Sequence, residues 1–108
     1  RGGATGEVYA WAIENSDKVA GIYGENPILR SSLAKVQPLD SLKPLAKAKI
    51  PILHACGSLD PNLKNQTGEA KKRYAGKMTV IIDAGRGHYP MTPKNPKKIV
   101  ELIEKMIK

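Results

Sequence analysis

Two short stretches combine acid–base side chains with glycine. In Gly85-Arg86-Gly87-His88, the glycines on either side of Arg86 permit tight backbone turns, so that His88 can project from a loop. In Gly57-Ser58-Leu59-Asp60 a carboxylate follows a glycine-initiated turn. A carboxylate that accepts from one imidazole nitrogen fixes the tautomer and leaves the other nitrogen to act as a base. Each stretch alone has a plainer reading: an aspartate after a strand is usually a turn former, and a loop histidine is usually just exposed. Cys56 ends the apolar run Ile50-Pro51-Ile52-Leu53-His54-Ala55-Cys56 and reads as an inert core thiol. His54, inside that run, reads as a satisfied buried histidine. Ser16, Ser31, Ser32, Ser41 and Ser58 are the serines that could serve as a nucleophile, but none sits in a G-x-S-x-G context. Ser58 is nearest the right place, yet it belongs to the turn of Asp60.

For Asp60 and His88 to meet, the stretches before them must be neighbouring strands. Residues 52–56 are apolar apart from His54, and Met78-Thr79-Val80-Ile81-Ile82 is rich in β-branched residues, so both read as buried strands. Val19-Ala20-Gly21-Ile22-Tyr23 has the length of a third. Helices are expected over 4–15, where Val8, Trp11 and Ala12 recur at helical spacing, and over 40–46. A basic helix is expected over 63–75, closed by Gly76. The last is expected over 95–107, with Pro96 at its start and Ile99, Leu102, Ile103 and Met106 as its apolar stripe. Strands alternating with helices predict an α/β fold: a parallel sheet of about three strands with helices on its faces. In such sheets ligands gather beyond the C-terminal ends of the strands, which is where Asp60 and His88 would lie.

The 108 residues fit one domain with one core, and no linker divides them, so residues 1–108 read as a single unit. A single cysteine excludes an internal disulfide and a four-cysteine zinc site. No apolar run approaches the roughly 18 residues that cross a bilayer. The formal charge of +8 is concentrated in residues 55–108, at Lys64, Lys71, Lys72, Arg73 and Lys77 and again at Lys94, Lys97, Lys98, Lys105 and Lys108. One reading is a non-enzymatic basic α/β module that binds polyanions. Against nucleic acid, phenylalanine is absent and Tyr74 is the only aromatic residue in the first cluster, so no stacking platform is visible. Gly2-Gly3-Ala4-Thr5-Gly6 could pass for a phosphate loop, but it lacks both G-x-x-x-x-G-K-[ST] and G-x-G-x-x-G.

Taken together, Pro44-Leu45-Ala46-Lys47-Ala48-Lys49-Ile50-Pro51-Ile52-Leu53-His54, Gly57-Ser58-Leu59-Asp60, Thr79-Val80-Ile81-Ile82-Asp83-Ala84-Gly85-Arg86-Gly87-His88 and the closing helix resemble the C-terminal part of an α/β-hydrolase. The resemblance covers essentially the whole chain. It implies a serine hydrolase acting on carboxylic esters, with Asp60 as the acid and His88 as the base of a catalytic triad. Glu25, after the first strand, matches the place where some members of the fold carry the acid instead. Arg1-Gly2-Gly3 is similar to the residues that follow the nucleophile in G-x-S-R-G-G. The resemblance therefore expects the serine immediately before Arg1, and the Arg1 backbone N–H as one oxyanion-hole donor. It expects the N-terminal strands to be supplied from outside these residues. The short stretch between the first two strands implies a small lid or none. The family's chemistry needs no metal and no organic cofactor, and its partner is a small ester substrate.

Overall fold

The structure, a computed structural model, describes residues 2–27, 29, 37–88 and 93–107. Helix α1 (Gly2–Glu14) leads through a 3-10 turn (Ser16–Lys18) to strand β1 (Ile22–Glu25). A second 3-10 turn (Pro38–Asp40) and the short helix α2 (Lys43–Lys47) precede β2 (Ile52–Gly57). A π-helical turn (Leu63–Gly68) runs into α3 (Glu69–Arg73), and β3 (Met78–Asp83) and α4 (Pro96–Met106) complete the chain. The three strands form one parallel sheet in the order β1-β2-β3, with Ile22 opposite Ile52 and Ile52 opposite Met78. This is the α/β architecture expected from the alternation of strand and helix patterns.

Because side chains alternate across a strand, the sheet has two different faces. Ile22, Ile52 and Met78 point to the face covered by α1, α2 and α3, where they pack with Tyr9, Ala12, Leu45, Ala70 and Tyr74. Leu53 and Ala55 point to the other face, where α4 lays down Ile99, Leu102, Ile103 and Met106, joined by Tyr23 and Ile81. Central β2 is buried along its whole length, the behaviour of a parallel strand covered on both sides. The crossover helices α2 and α3 lie on one face, and among the described elements α4 closes the other. Its start is fixed by Asn95, whose side chain accepts from the Lys98 N–H at 3.2 Å, and by Pro96 in the first turn.

Three details differ from the sequence reading. Strand β1 runs over Ile22–Glu25 rather than 19–23, because the ladder with β2 continues through Gly24 and Glu25 opposite His54 and Ala55. Helix α1 turns Tyr9 and Ala12 inward, while Val8 and Trp11 are about half exposed, at 53% and 52%. Apolar residues lie all around this helix, so spacing alone does not select the buried face. The stretch 63–75 is not one α-helix. It opens as a π-turn and stops at Arg73, where the Tyr74 hydroxyl donates to the Ile50 carbonyl and the tyrosine ring folds against Gly76.

Candidate functional site

The C-terminal ends of β2 and β3 are stitched together by main-chain hydrogen bonds. Ser58 N–H donates to the Asp83 carbonyl at 2.9 Å, and Leu59 N–H donates to the Arg86 carbonyl at 2.9 Å. The Ser58 hydroxyl accepts from Gly85 N–H at 2.8 Å, so this serine latches the loop. Gly85 takes φ +77, a conformation glycine adopts without strain. At Gly57 a Cβ would lie 2.1 Å from the Arg86 carbonyl oxygen. Only glycine lets the two loop backbones approach this closely.

This contact brings Asp60 and His88 together. His88 Nδ1 and Asp60 Oδ2 are 2.9 Å apart, across 28 residues of sequence. The other carboxylate oxygen, Oδ1, accepts from Asn62 N–H at 2.9 Å, which fixes the Asp60 rotamer within its own turn. The Asp60 side chain is 1% exposed and that of His88 18%. A buried, anchored carboxylate therefore orients a partly exposed imidazole. With the Nδ1 proton donated to Asp60, the lone pair of neutral His88 resides on Nε2.

Asp83 and Arg86 brace the same loop from beneath. The Arg86 guanidinium is buried and its Nε donates to Asp83 Oδ2 at 2.8 Å. The same oxygen accepts from Lys94 N–H at 3.1 Å. One carboxylate thus holds residues on both sides of His88 in sequence. Neither Asp83 nor Arg86 stands out in its local pattern, since an aspartate ending a strand and an arginine between glycines look like solvated loop residues.

Glu25 ends β1 at the same sheet edge. Its carboxylate adjoins Tyr23, whose phenol is pushed well above its usual range, first by burial and then by Glu25. The carboxylate bonded to His88 Nδ1 is that of Asp60. Arg1, Ser31 and Ser32 lie outside the described residues. Among the described residues no group of three or more His, Cys, Asp or Glu could hold a metal ion, and no helix is long and apolar enough to cross a membrane.

His54 occupies a second, separate polar cluster. Its Nε2 is 2.7 Å from the Tyr9 hydroxyl, its Nδ1 is 2.9 Å from Thr67 Oγ1, and that oxygen is 3.3 Å from Cys56 Sγ. All four residues are buried. Either direction of proton donation along this chain satisfies both ring nitrogens. Burial lowers the His54 pKa from its ordinary value of 6.5 to about 3, so the imidazole is neutral. Burial likewise pushes the Cys56 thiol up, the opposite of what an activated nucleophile needs.

Among the described residues the two basic clusters surround different helices, on opposite faces of the sheet. Lys64, Lys71, Lys72, Arg73 and Lys77 are exposed around α3, on one side of the sheet, and Lys94, Lys97, Lys98 and Lys105 around α4, on the other. Within the first group Arg73 is paired with Asp40 at 2.6 Å and lies 3.6 Å from Glu69, and the Lys71 ammonium donates to the Met78 carbonyl. Tyr74 is buried rather than offered for stacking.

No protein-family model matches the chain, and comparison with curated proteins yields no match. Among solved structures, that of DcsB in complex with its substrate analogue matches with a TM-score of 0.52 and 23% identity, over 69% of this chain and 26% of DcsB. The chain thus spans about a quarter of the length of that neighbour. At this identity the likeness concerns the fold of the matched part.

Proposed function

We propose that the whole protein is a serine hydrolase of the α/β-hydrolase type, which cleaves carboxylic esters through an acyl-enzyme and to which this chain contributes the acid Asp60 and the base His88. The observation that carries the proposal is the 2.9 Å contact between His88 Nδ1 and Asp60 Oδ2 at the C-terminal edge of a parallel sheet. The fold shared with DcsB, a protein solved with a substrate analogue, is in keeping with it. The nucleophile in this reading is the serine expected before Arg1.

In the first half-reaction His88 Nε2 removes the serine hydroxyl proton as the oxygen attacks the ester carbonyl carbon. Asp60 keeps the ring in the required tautomer and stabilises the imidazolium that forms. The tetrahedral intermediate collapses by breaking the bond to the alkoxy oxygen, which takes the proton from His88 and leaves as the alcohol. In the second half-reaction water attacks the acyl-serine, giving its proton to Nε2. Cleavage of the acyl–serine bond then returns that proton to the serine and releases the carboxylic acid.

Hydrolysis of p-nitrophenyl acetate by the full-length protein tests this. His88→Ala is expected to lower kcat/KM by about 10⁶-fold and Asp60→Asn by about 10⁴-fold, the scale of losses seen when a triad member is removed. The melting temperature should change little in His88→Ala, and Glu25→Gln should cost less than about tenfold. Retained activity in His88→Ala overturns the proposal. A large loss in Glu25→Gln with Asp60→Asn active would transfer the acid role to Glu25.

A further inference from the structure

Asn26 stands at the junction of the three segments that build the site. It follows β1, is buried, and has φ +43, in the left-handed region that asparagine tolerates better than most residues. The following residue, Pro27, normally steers its predecessor toward extended backbone, so this conformation is held by its surroundings rather than by local preference. The surroundings are three hydrogen bonds. The Asn26 N–H donates to the Ala55 carbonyl at 2.9 Å, extending the β1–β2 ladder. Its Oδ1 accepts from Gly57 N–H at 2.9 Å, at the end of β2. Its Nδ2 donates to the His88 carbonyl at 2.9 Å, across 62 residues.

We infer that Asn26 is a positioning residue for His88. Its amide spans the gap between the end of β2, from which Asp60 departs, and the main chain of the histidine. The inference rests on the proposed role of His88 as the base, and Asn26 acts through His88 rather than on substrate. A group that only filled the core would need neither polar end. Both ends of this amide are used, one on the acid's strand and one on the base, so the distance between Asp60 and His88 is set from two sides. The Ser58 and Leu59 contacts hold the first part of the loop, to Arg86. The Asn26 bond restrains the main chain at His88 itself.

The chemistry of the amide supplies the test. Asn26→Asp keeps the size, the backbone preference and an acceptor for Gly57 N–H, but places an oxygen against the His88 carbonyl, turning attraction into repulsion. Asn26→Gly suits the positive φ and deletes both side-chain bonds. In the full-length protein labelled with ¹⁵N-histidine, the downfield Nδ1 proton of His88 is assigned by its loss in His88→Ala, and p-nitrophenyl acetate hydrolysis is measured alongside. Asn26→Asp is expected to shift or broaden the His88 signal, leave that of His54 in place, and lower kcat about 10–100-fold with KM within about twofold. Asn26→Gly is expected to do the same with a smaller loss. A purely structural role would lower the melting temperature of both variants and leave the His88 signal and the kcat of the folded protein unchanged, and that result overturns the inference. If the unaltered protein hydrolyses no ester while Asn26→Asp still displaces the His88 signal, the proposed function fails and the clamp on His88 stands.

Discussion

His54 and His88 are the two histidines of the chain, and their surroundings make opposite use of the same side chain. His54 lies inside β2 with one nitrogen on Tyr9 of α1 and the other on Thr67 of the π-turn. Neutral partners close both ends, and burial keeps the ring uncharged. It joins a helix, a strand and a turn, and has no carboxylate among these bonded partners. His88 lies beyond a strand, part-exposed, with a buried carboxylate on one nitrogen. The difference is electrostatic and positional. A ring enclosed by hydroxyl groups in a core favours the neutral form, whereas a carboxylate that accepts from Nδ1–H fixes the tautomer with its lone pair on Nε2.

The two settings give substitution opposite consequences. The largest effect belongs to the edge: on the proposed function, loss of His88 should remove about 10⁶-fold of the ester hydrolysis, equivalent to roughly 8 kcal/mol of transition-state stabilisation, and leave the fold intact. The core histidine should behave in the reverse manner. His54→Leu strands the Tyr9 hydroxyl in an apolar core and removes one partner of Thr67, and is expected to cost about 2–4 kcal/mol of stability. Chemical denaturation reads this loss, and kcat of the folded protein should stay within about threefold. A variant of normal stability would show that the Tyr9–His54–Thr67 chain holds nothing together.

A smaller effect follows from protonation. The folded-state pKa of His54 is depressed to about 3 against an ordinary value of 6.5. Between those values the unfolded chain binds the extra proton. The contribution of neutral His54 is therefore complete above about pH 6.5 and is lost as pH falls toward 3, with a slope of up to about 1.4 kcal/mol per pH unit. Urea unfolding between pH 7 and pH 4 should show a shallower decline for His54→Leu than for the unaltered protein. Parallel declines would mean that the buried ring takes up its proton without opening the core.

Much of the fold is legible in the residues because parallel strands announce themselves as short apolar, β-branched runs, as at 52–56 and 78–82. The start of β1 is less legible. Val19 and Ala20 extend the apolar run, but the ladder is set by the partners that β2 offers, and those lie opposite Ile22 to Glu25. The inward face of α1 and the π-turn at Leu63–Gly68 depend on contacts made elsewhere in the chain. Thr67 reaches His54 and Cys56, and the Gln66 side chain accepts from the Leu29 N–H at 2.6 Å. In the site, the glycine-rich settings of Asp60 and His88 are local and visible. Asn26 is not, because before a proline it reads as an ordinary turn residue, and its side-chain partners lie 31 and 62 residues away.

The most direct test of the Asp60–His88 pair is a double-mutant cycle on kcat/KM for p-nitrophenyl acetate, using the unaltered full-length protein, Asp60→Asn, His88→Ala and the double variant. If the carboxylate acts only through the imidazole, the double variant should lie within about threefold of His88→Ala alone, because groups that work as one unit are strongly non-additive. Losses that multiply would contradict the account and leave Asp60 and His88 as neighbours with separate roles.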